Sequence, residues 1–402
     1  MDGGTALPMG SAAFLDQVQC FRGFGSATRA ITQDGIPYLE NEFWTSGQRK
    51  AHPLHEVSYR ACFKPQLPEF FISRLSEPGS AVLDPFMGRG TTPLQAALMG
   101  RRPVGSDISP LSAMLAAPRL DPPDEGEIAA RLREVPWETG VAGRQDLLAF
   151  YHPGTLAALC ALRGWLLRRA AEGPLDRADA WIRMVALNRL TGHSPGFFSG
   201  RTLPPNQAVS VASQVRINLR LGVSPPERDV PALLLRKTRS LLRAGSPPPH
   251  PEAVFLTGPA DRLAGLADAS VALAVTSPPF LDVVDYAGDN WLRCWFAGID
   301  PGAVPIDRHR DVAAWEAFVR RAFCEFARVV RPNGFVAFEV GEVRGGRVLL
   351  ERHVAAAIEG LPFDVLGVMV NQQSFTKTAN CWGVGNNRGG TNTNRIILAV
   401  RR

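Results

Sequence analysis

Cysteine is scarce: Cys20, Cys62, Cys160, Cys294, Cys324 and Cys381 are scattered through 402 residues. They form no C-x-x-C pair and no Cys/His cluster at metal-ligand spacing, which argues against a disulfide scaffold or a structural zinc module. The thiols read as reduced, in a cytoplasmic protein. No secretory leader is expected, because the first twenty residues lack a basic start and a continuous apolar core. Nowhere do about 18 apolar residues run together, as a membrane span needs. Internal repeats are absent as well.

What is present is a chain with 45% apolar side chains, enough for a sizeable core, and a mild net charge of +6. That balance tolerates a polyanionic partner without demanding one. Short apolar runs bounded by Gly, Pro, Asp or Asn read as buried strands at 81–86, 103–108, 254–257, 271–276, 335–340, 365–370 and 396–400. Helix-length stretches at 93–99 and 315–330 alternate with them. The expected fold is α/β, a Rossmann-like sheet of seven mostly parallel strands.

Between Pro118 and Pro251 the pattern turns helical, with Leu156, Leu159, Leu162, Trp165 and Leu166 on one face and Ile182, Val185, Ala186 and Arg189 spaced similarly. From Cys160 to Gly245 there are 14 Lys and Arg against 5 Asp and Glu, so the positive charge is concentrated here. The expected organisation is an N-terminal extension (1–39), a sheet domain (40–118 and 252–402) and a helical insert (119–251). The insert's arginines read equally as a solvated helix face or as a phosphate-tracking surface.

Two motifs carry chemistry. Val82-Leu-Asp-Pro-Phe-Met-Gly-Arg-Gly-Thr-Thr92 is a strand, a turn and a threonine-capped helix start, with Gly88 and Gly90 clearing the backbone for a ligand. It lacks the lysine of a P-loop, and Pro93 stands where a dinucleotide fold wants a third glycine. Asp84, at the strand end, suits the ammonium of a methionine moiety, and Asp107, ending the next strand, suits two ribose hydroxyls. The second motif, Val275-Thr-Ser-Pro-Pro-Phe280, also follows a strand. Its prolines fix the backbone, so the Ser277 hydroxyl and the Pro278 carbonyl can accept hydrogen bonds from an amine. An exocyclic amine of a base is a poor nucleophile, and acceptors on its hydrogens favour the pyramidal form that attacks a sulfonium methyl. Phe280 can stack on the extruded base.

Together these motifs resemble the amino-directed DNA methyltransferases, most closely the cytosine-N4 branch. The family's D-P-F-x-G-x-G-T is matched by Asp84-Pro-Phe-Met-Gly-Arg-Gly-Thr91, and its T-S-P-P-aromatic by Thr276-Ser-Pro-Pro-Phe280. The resemblance implies an S-adenosyl-L-methionine-dependent fold, with Asp84, Pro85, Phe86, Gly88, Gly90, Thr91 and Asp107 at the cofactor and Ser277, Pro278, Pro279 and Phe280 at the target amine. Tyr59 to Pro68, with Lys64 and Pro65, looks like the segment that leads into the fold and closes over the cofactor. The sequence departs from the family at Gly258, which is followed by Pro259 rather than an acid, leaving Asp261 as the nearest carboxylate. Phe280 replaces the usual tyrosine. The implied partner is double-stranded DNA, with single-stranded DNA or RNA as alternatives, and a restriction endonuclease is a further partner to test.

Adenine N6, an amino group of RNA, and a catalytically silent nucleic-acid-binding protein remain open. A carbon-directed cytosine enzyme would need a Pro-Cys nucleophile, and none occurs. Asn380 to Arg395, rich in Gly and Asn with Trp382, reads as a loop that contacts substrate. Asp282 and Asp285 follow the catalytic turn, but no dedicated base is expected. His52 and His55 lack a third partner for zinc.

Overall fold

The computed structural model of the chain describes residues 9–45, 51–60, 62–140, 143–192, 194–202, 208–281, 285–306, 309–343, 347–372 and 393–402. Its strands are β1 (Arg29–Gln33), β2 (Ile36–Asn41), β3 (Ala81–Asp84), β4 (Arg102–Asp107), β5 (Val254–Thr257), β6 (Val271–Thr276), β7 (Val330–Val340), β8 (Glu342–Val343), β9 (Val348–Leu349), β10 (Phe363–Gln372) and β11 (Thr393–Arg401). The helices are α1 (Ser11–Gln19), α2 (Gln66–Leu75), α3 (Thr91–Leu98), α4 (Pro110–Ala116), α5 (Glu125–Glu134), α6 (Pro153–Glu172), α7 (Arg177–Arg189), α8 (Val211–Leu221), α9 (Val230–Leu242), α10 (Tyr286–Ala297), α11 (Val312–Val329) and α12 (Leu350–Ala357).

Nine strands form one sheet in the order β1-β2-β10-β11-β7-β6-β3-β4-β5, while β8 and β9 pair separately. From β3 the chain winds outward through β4 to β5, then returns to β6 on the other side of β3 and winds the opposite way. The reversal leaves a crevice at the carboxyl ends of β3 and β6, where open α/β sheets bind ligands. Every residue of β3 and β6 is buried, as expected of parallel strands covered on both faces. The sheet is mostly parallel, with antiparallel pairing only at β1–β2, β10–β11 and β11–β7. Helix α11 shows why the strands stay covered: Trp315, Phe318, Val319, Ala322, Phe323, Phe326 and Val329 fall on one buried face at helical spacing.

The expected count of seven strands is corrected to nine. The two additions, β1 and β2, form a hairpin closed by Asp34 and Gly35 in positive φ (50° and 78°), and β2 joins the sheet beside β10. The last part of the expected N-terminal extension, from Arg29 onward, therefore lengthens the sheet.

Helices α5 to α9 lie between β4 and β5. Leu156, Leu159, Leu162, Ile182, Val185 and Ala186 sit in one apolar cluster that also holds Leu94 and Ala97 of α3, Leu111 and Leu115 of α4, and Leu292 and Phe296 of α10. Many of the insert's arginines are paired: Arg131 and Arg169 meet the buried Asp179, and Arg177 meets Glu127. Among the described residues no helix is long and apolar enough to cross a membrane.

Candidate active site

The two motifs meet at the crevice, where the Thr92 hydroxyl donates to the Val275 carbonyl at 3.0 Å and Thr276 reaches Asp84, 192 residues away. The Thr276 hydroxyl, ending β6, donates to Asp84 Oδ1 at 2.6 Å, and the Phe86 amide donates to the same atom at 3.1 Å. Asp84 is 1% exposed. Burial, opposed by these hydrogen bonds, pushes its carboxyl up to about 7. It fastens one loop to the other and does not line the cleft, so its side chain is buttress rather than wall.

A testable pH dependence follows. The ordinary value is 3.8, so the folded chain holds this proton more tightly than the unfolded chain. The associated stability is complete at low pH and is lost as pH rises through the folded value. Asp84→Asn keeps an oxygen for Thr276 and Phe86 but cannot ionise. Its denaturation midpoint should fall less than wild type between about pH 4 and about pH 8. An equally steep fall would assign the loss to another group.

The glycine turn works from its backbone. Gly88 lines the cleft in positive φ (50°), and its N–H donates to Asp107 Oδ2 at 2.8 Å. Gly90 has φ 74°, and a Cβ there would lie 2.5 Å from the Cβ of Ala116. Gly90 is itself the N-cap of α3, without a side-chain cap, which corrects the expected threonine cap. Thr91 is buried behind the turn and accepts from Arg89 Nε at 3.1 Å.

Two buried guanidiniums tie the upstream segment to this turn. Arg89 donates to the carbonyls of Val57 at 2.8 Å and Phe63 at 3.3 Å. Arg119 donates to the carbonyls of Leu54 at 3.1 Å and Arg89. Burial, then the neighbouring Arg89, lowers Arg119 to about 9. Helices beyond the turn grip the same segment. Asn188 of α7 accepts from the Ser58 amide at 3.1 Å and donates to the Glu56 carbonyl at 3.0 Å. Lys237 of α9 pairs with the Glu56 carboxylate at 3.0 Å, and Arg293 of α10 donates to the Ser58 carbonyl at 2.8 Å. So held, Tyr59, Arg60 and Cys62 form one wall of the cleft, and Arg60 pairs with Asp289 at 2.9 Å. Lys64 and Pro65 do not line it; Pro65 caps α2.

The cleft, about 810 Å³ including its open mouth, is floored by Pro85, Phe86 and Gly88 and walled by Asp107, Ile108 and the Gly258–Asp261 turn. Asp107 accepts the Gly88 and Ser109 amides through different oxygens, and a carboxylate's roughly four acceptor positions leave it capacity for a further donor. Burial raises its carboxyl above the usual range, and these hydrogen bonds pull it back. Asp261 lines the cleft and pairs with Arg321 at 3.2 Å.

From the second motif, Ser277 and Pro279 face the cleft, Pro278 is buried, and Phe280 is half-buried against the sheet's apolar core. Trp315 Nε1 donates to the Pro279 carbonyl at 2.9 Å, fixing the proline turn. Behind Ser277 sits Glu339 of β7, 7% exposed. Burial raises its carboxyl, while hydrogen bonds from Ser277 and from Asn394 Nδ2, the latter at 2.8 Å, lower it. Sequence reading does not single out Glu339, Tyr286 or Phe318, since none belongs to a motif; Arg60 falls inside the Tyr59–Pro68 segment without being named there.

Of the lesser candidates, Asp285 caps α10 through the Gly288 amide, and His55 is buried against Gln95 at 3.0 Å. Asp282 and the stretch 380–392, with Trp382, lie outside the described residues.

Residues 34–116 match the family model described as DNA methylase, of the N6/N4 type. The chain is similar to the type II methyltransferase M.MjaII of Methanocaldococcus jannaschii, with 40% identity over 72 residues. Those residues cover 18% of this chain and 13% of that protein, so the match spans a small part of the relative's length. Among solved structures, the S-adenosyl-L-methionine complex of TTHA0409 from Thermus thermophilus is 22% identical over 35% of this chain and 52% of that one, at a TM-score of 0.22. TrmN from the same organism is 12% identical over 85% and 50%, at a TM-score of 0.33.

Proposed function

With residues 34–116 matching the N6/N4 DNA methylase family, we propose that the chain transfers a methyl group from S-adenosyl-L-methionine to the exocyclic amine of a DNA base, cytosine N4 in the first instance. The observation that carries this reading is the junction of the two motif loops at one cleft, with Asp107 and Gly88 on one side and Ser277 on the other. The cleft's residues suit the cofactor: a carboxylate with spare lone pairs for hydroxyls, a glycine without a Cβ at the floor, and apolar walls for a ring. Gly88, Asp107 and the Gly258–Asp261 turn would hold it. When bound, S-adenosyl-L-methionine supplies a methyl group on a cationic sulfur.

The protein's part is orientation. A hydroxyl has one hydrogen; turned towards the buried Glu339 behind it, that hydrogen would leave the serine oxygen as an acceptor for an amine N–H. Trp315 holds the Pro279 carbonyl, so the proline turn does not need to reorganise when the amine arrives. The tilt towards cytosine rests on serine at position 277. The basic helical insert is read as the target-recognition region.

Methyl-labelled cofactor, offered to unmethylated DNA and in parallel to total RNA, tests the reading when the modified nucleoside is identified by mass spectrometry. N4-methylcytosine in DNA is expected. N6-methyladenine would keep the enzyme and move the target, and label in RNA alone would overturn DNA as the substrate.

A further inference from the structure

Helix α8 is turned inside out. Its one buried side chain is Gln214, which donates to the Arg201 carbonyl at 3.0 Å and to Asn218 Oδ1 at 2.8 Å. Asn218 in turn donates to the Ala149 carbonyl at 2.7 Å. Amides therefore help hold the helix to the body, with Val211 packed at its start, while three of its large apolar residues and one just beyond face water: Val215 is 41% exposed, Leu219 77%, Leu221 38% and Val223 45%. Only one other large apolar side chain among the described residues, Phe24, is exposed, so these four mark a surface built to be covered.

Charge narrows what covers it. Residues 201–226 contain Arg201, Arg216 and Arg220 and no acid. All three are exposed, and neither Arg216 nor Arg220 is in an ion pair among the described residues. A second copy of the same face would set like charges against one another, whereas a phosphodiester backbone would neutralise them. Position points the same way. The Ala208 amide donates to the Asp289 carbonyl at 3.2 Å, and Trp291 Nε1 donates to the Val209 carbonyl at 3.3 Å. The chain entering α8 is thus pinned to α10, whose Tyr286 lines the cleft and whose Asp289 holds Arg60.

We propose that the outward face of α8 meets duplex DNA beside the cleft, with Arg216 and Arg220 on backbone phosphates and Leu219 pressed against the base stack next to the extruded nucleotide. The inference rests on the reading that DNA is the substrate. An apolar wedge at that place lowers the cost of unstacking one base, because the gap it leaves is filled by side chain rather than water.

Two variants of the full chain test it: Arg216→Ala/Arg220→Ala together, and Leu219→Ser. Duplex affinity across a salt series should lose about 1.8 from the log–log slope in the double variant, at about 0.9 per phosphate contact. Leu219→Ser should keep the slope and transfer methyl roughly tenfold more slowly to duplex than wild type, with little change on heat-denatured strands, since only duplex requires unstacking. S-adenosyl-L-methionine affinity should not move in either. Unchanged slope together with equal transfer to duplex and denatured DNA would overturn the proposal. So would sedimentation showing wild type as a dimer and the variants as monomers, which would make the face a self-interface. A lowered slope without any methyl transfer by wild type would uphold the surface and sink the activity; transfer with an unaltered slope would do the reverse.

Discussion

Ser277→Ala is expected to slow methyl transfer by about 100-fold, the scale of removing one preorganised hydrogen-bonding group from a reacting centre. In the proposed reading the serine oxygen accepts from the target amine, with Glu339 behind it, and alanine would leave the amine's N–H without that partner. Nothing in this change touches Asp107 or Gly88, so the cofactor's dissociation constant should stay within about twofold. Single-turnover rates and titration calorimetry on the same preparation separate the two quantities. Loss of cofactor affinity with an intact single-turnover rate would reverse the assigned roles.

Asp107→Ala should produce the opposite pattern. The carboxylate would offer charge-assisted hydrogen bonds to the cofactor's hydroxyls, and losing them should weaken binding by roughly 10- to 100-fold. The same oxygens hold the Gly88 and Ser109 amides, so alanine also leaves two backbone donors without their acceptor. Asp107→Asn retains acceptor capacity and should recover part of the loss. Calorimetry with S-adenosyl-L-methionine across the three proteins checks the order wild type, Asn, Ala; equal affinity in all three would remove Asp107 from the cofactor site.

The sheet's centre was legible because buried parallel strands are written as uninterrupted apolar runs, and Val271–Thr276 is such a run between polar flanks. The β1–β2 hairpin escaped because an edge strand is partly solvated: Arg29–Gln33 and Ile36–Asn41 mix charge, proline and apolar residues. Its signal was the Asp34-Gly35 pair, whose positive φ values mark a two-residue hairpin turn. The site divides in the same way. Gly88, Asp107, Ser277 and Pro279 belong to local motifs and face the cleft. Asp84 sits at the strand end where the motif puts it, yet its carboxylate turns inward to Thr276, a choice made by a residue 192 positions away. Glu339 reaches the site only through strand order, which no spacing in the sequence encodes, and Arg60, inside the expected Tyr59–Pro68 segment, owes its pairing with Asp289 to helix packing.

The grip on residues 54–60 has a consequence for how the molecule comes apart. Asn188, Lys237 and Arg293 reach that wall from three helices, and the apolar cluster beneath runs without a break from α3 through the insert to α10. Excising 119–251 would not trim an accessory module. It would strip one side of the cleft of its scaffolding and open the core along α3 and α4, so the helices and the sheet should melt in one cooperative step.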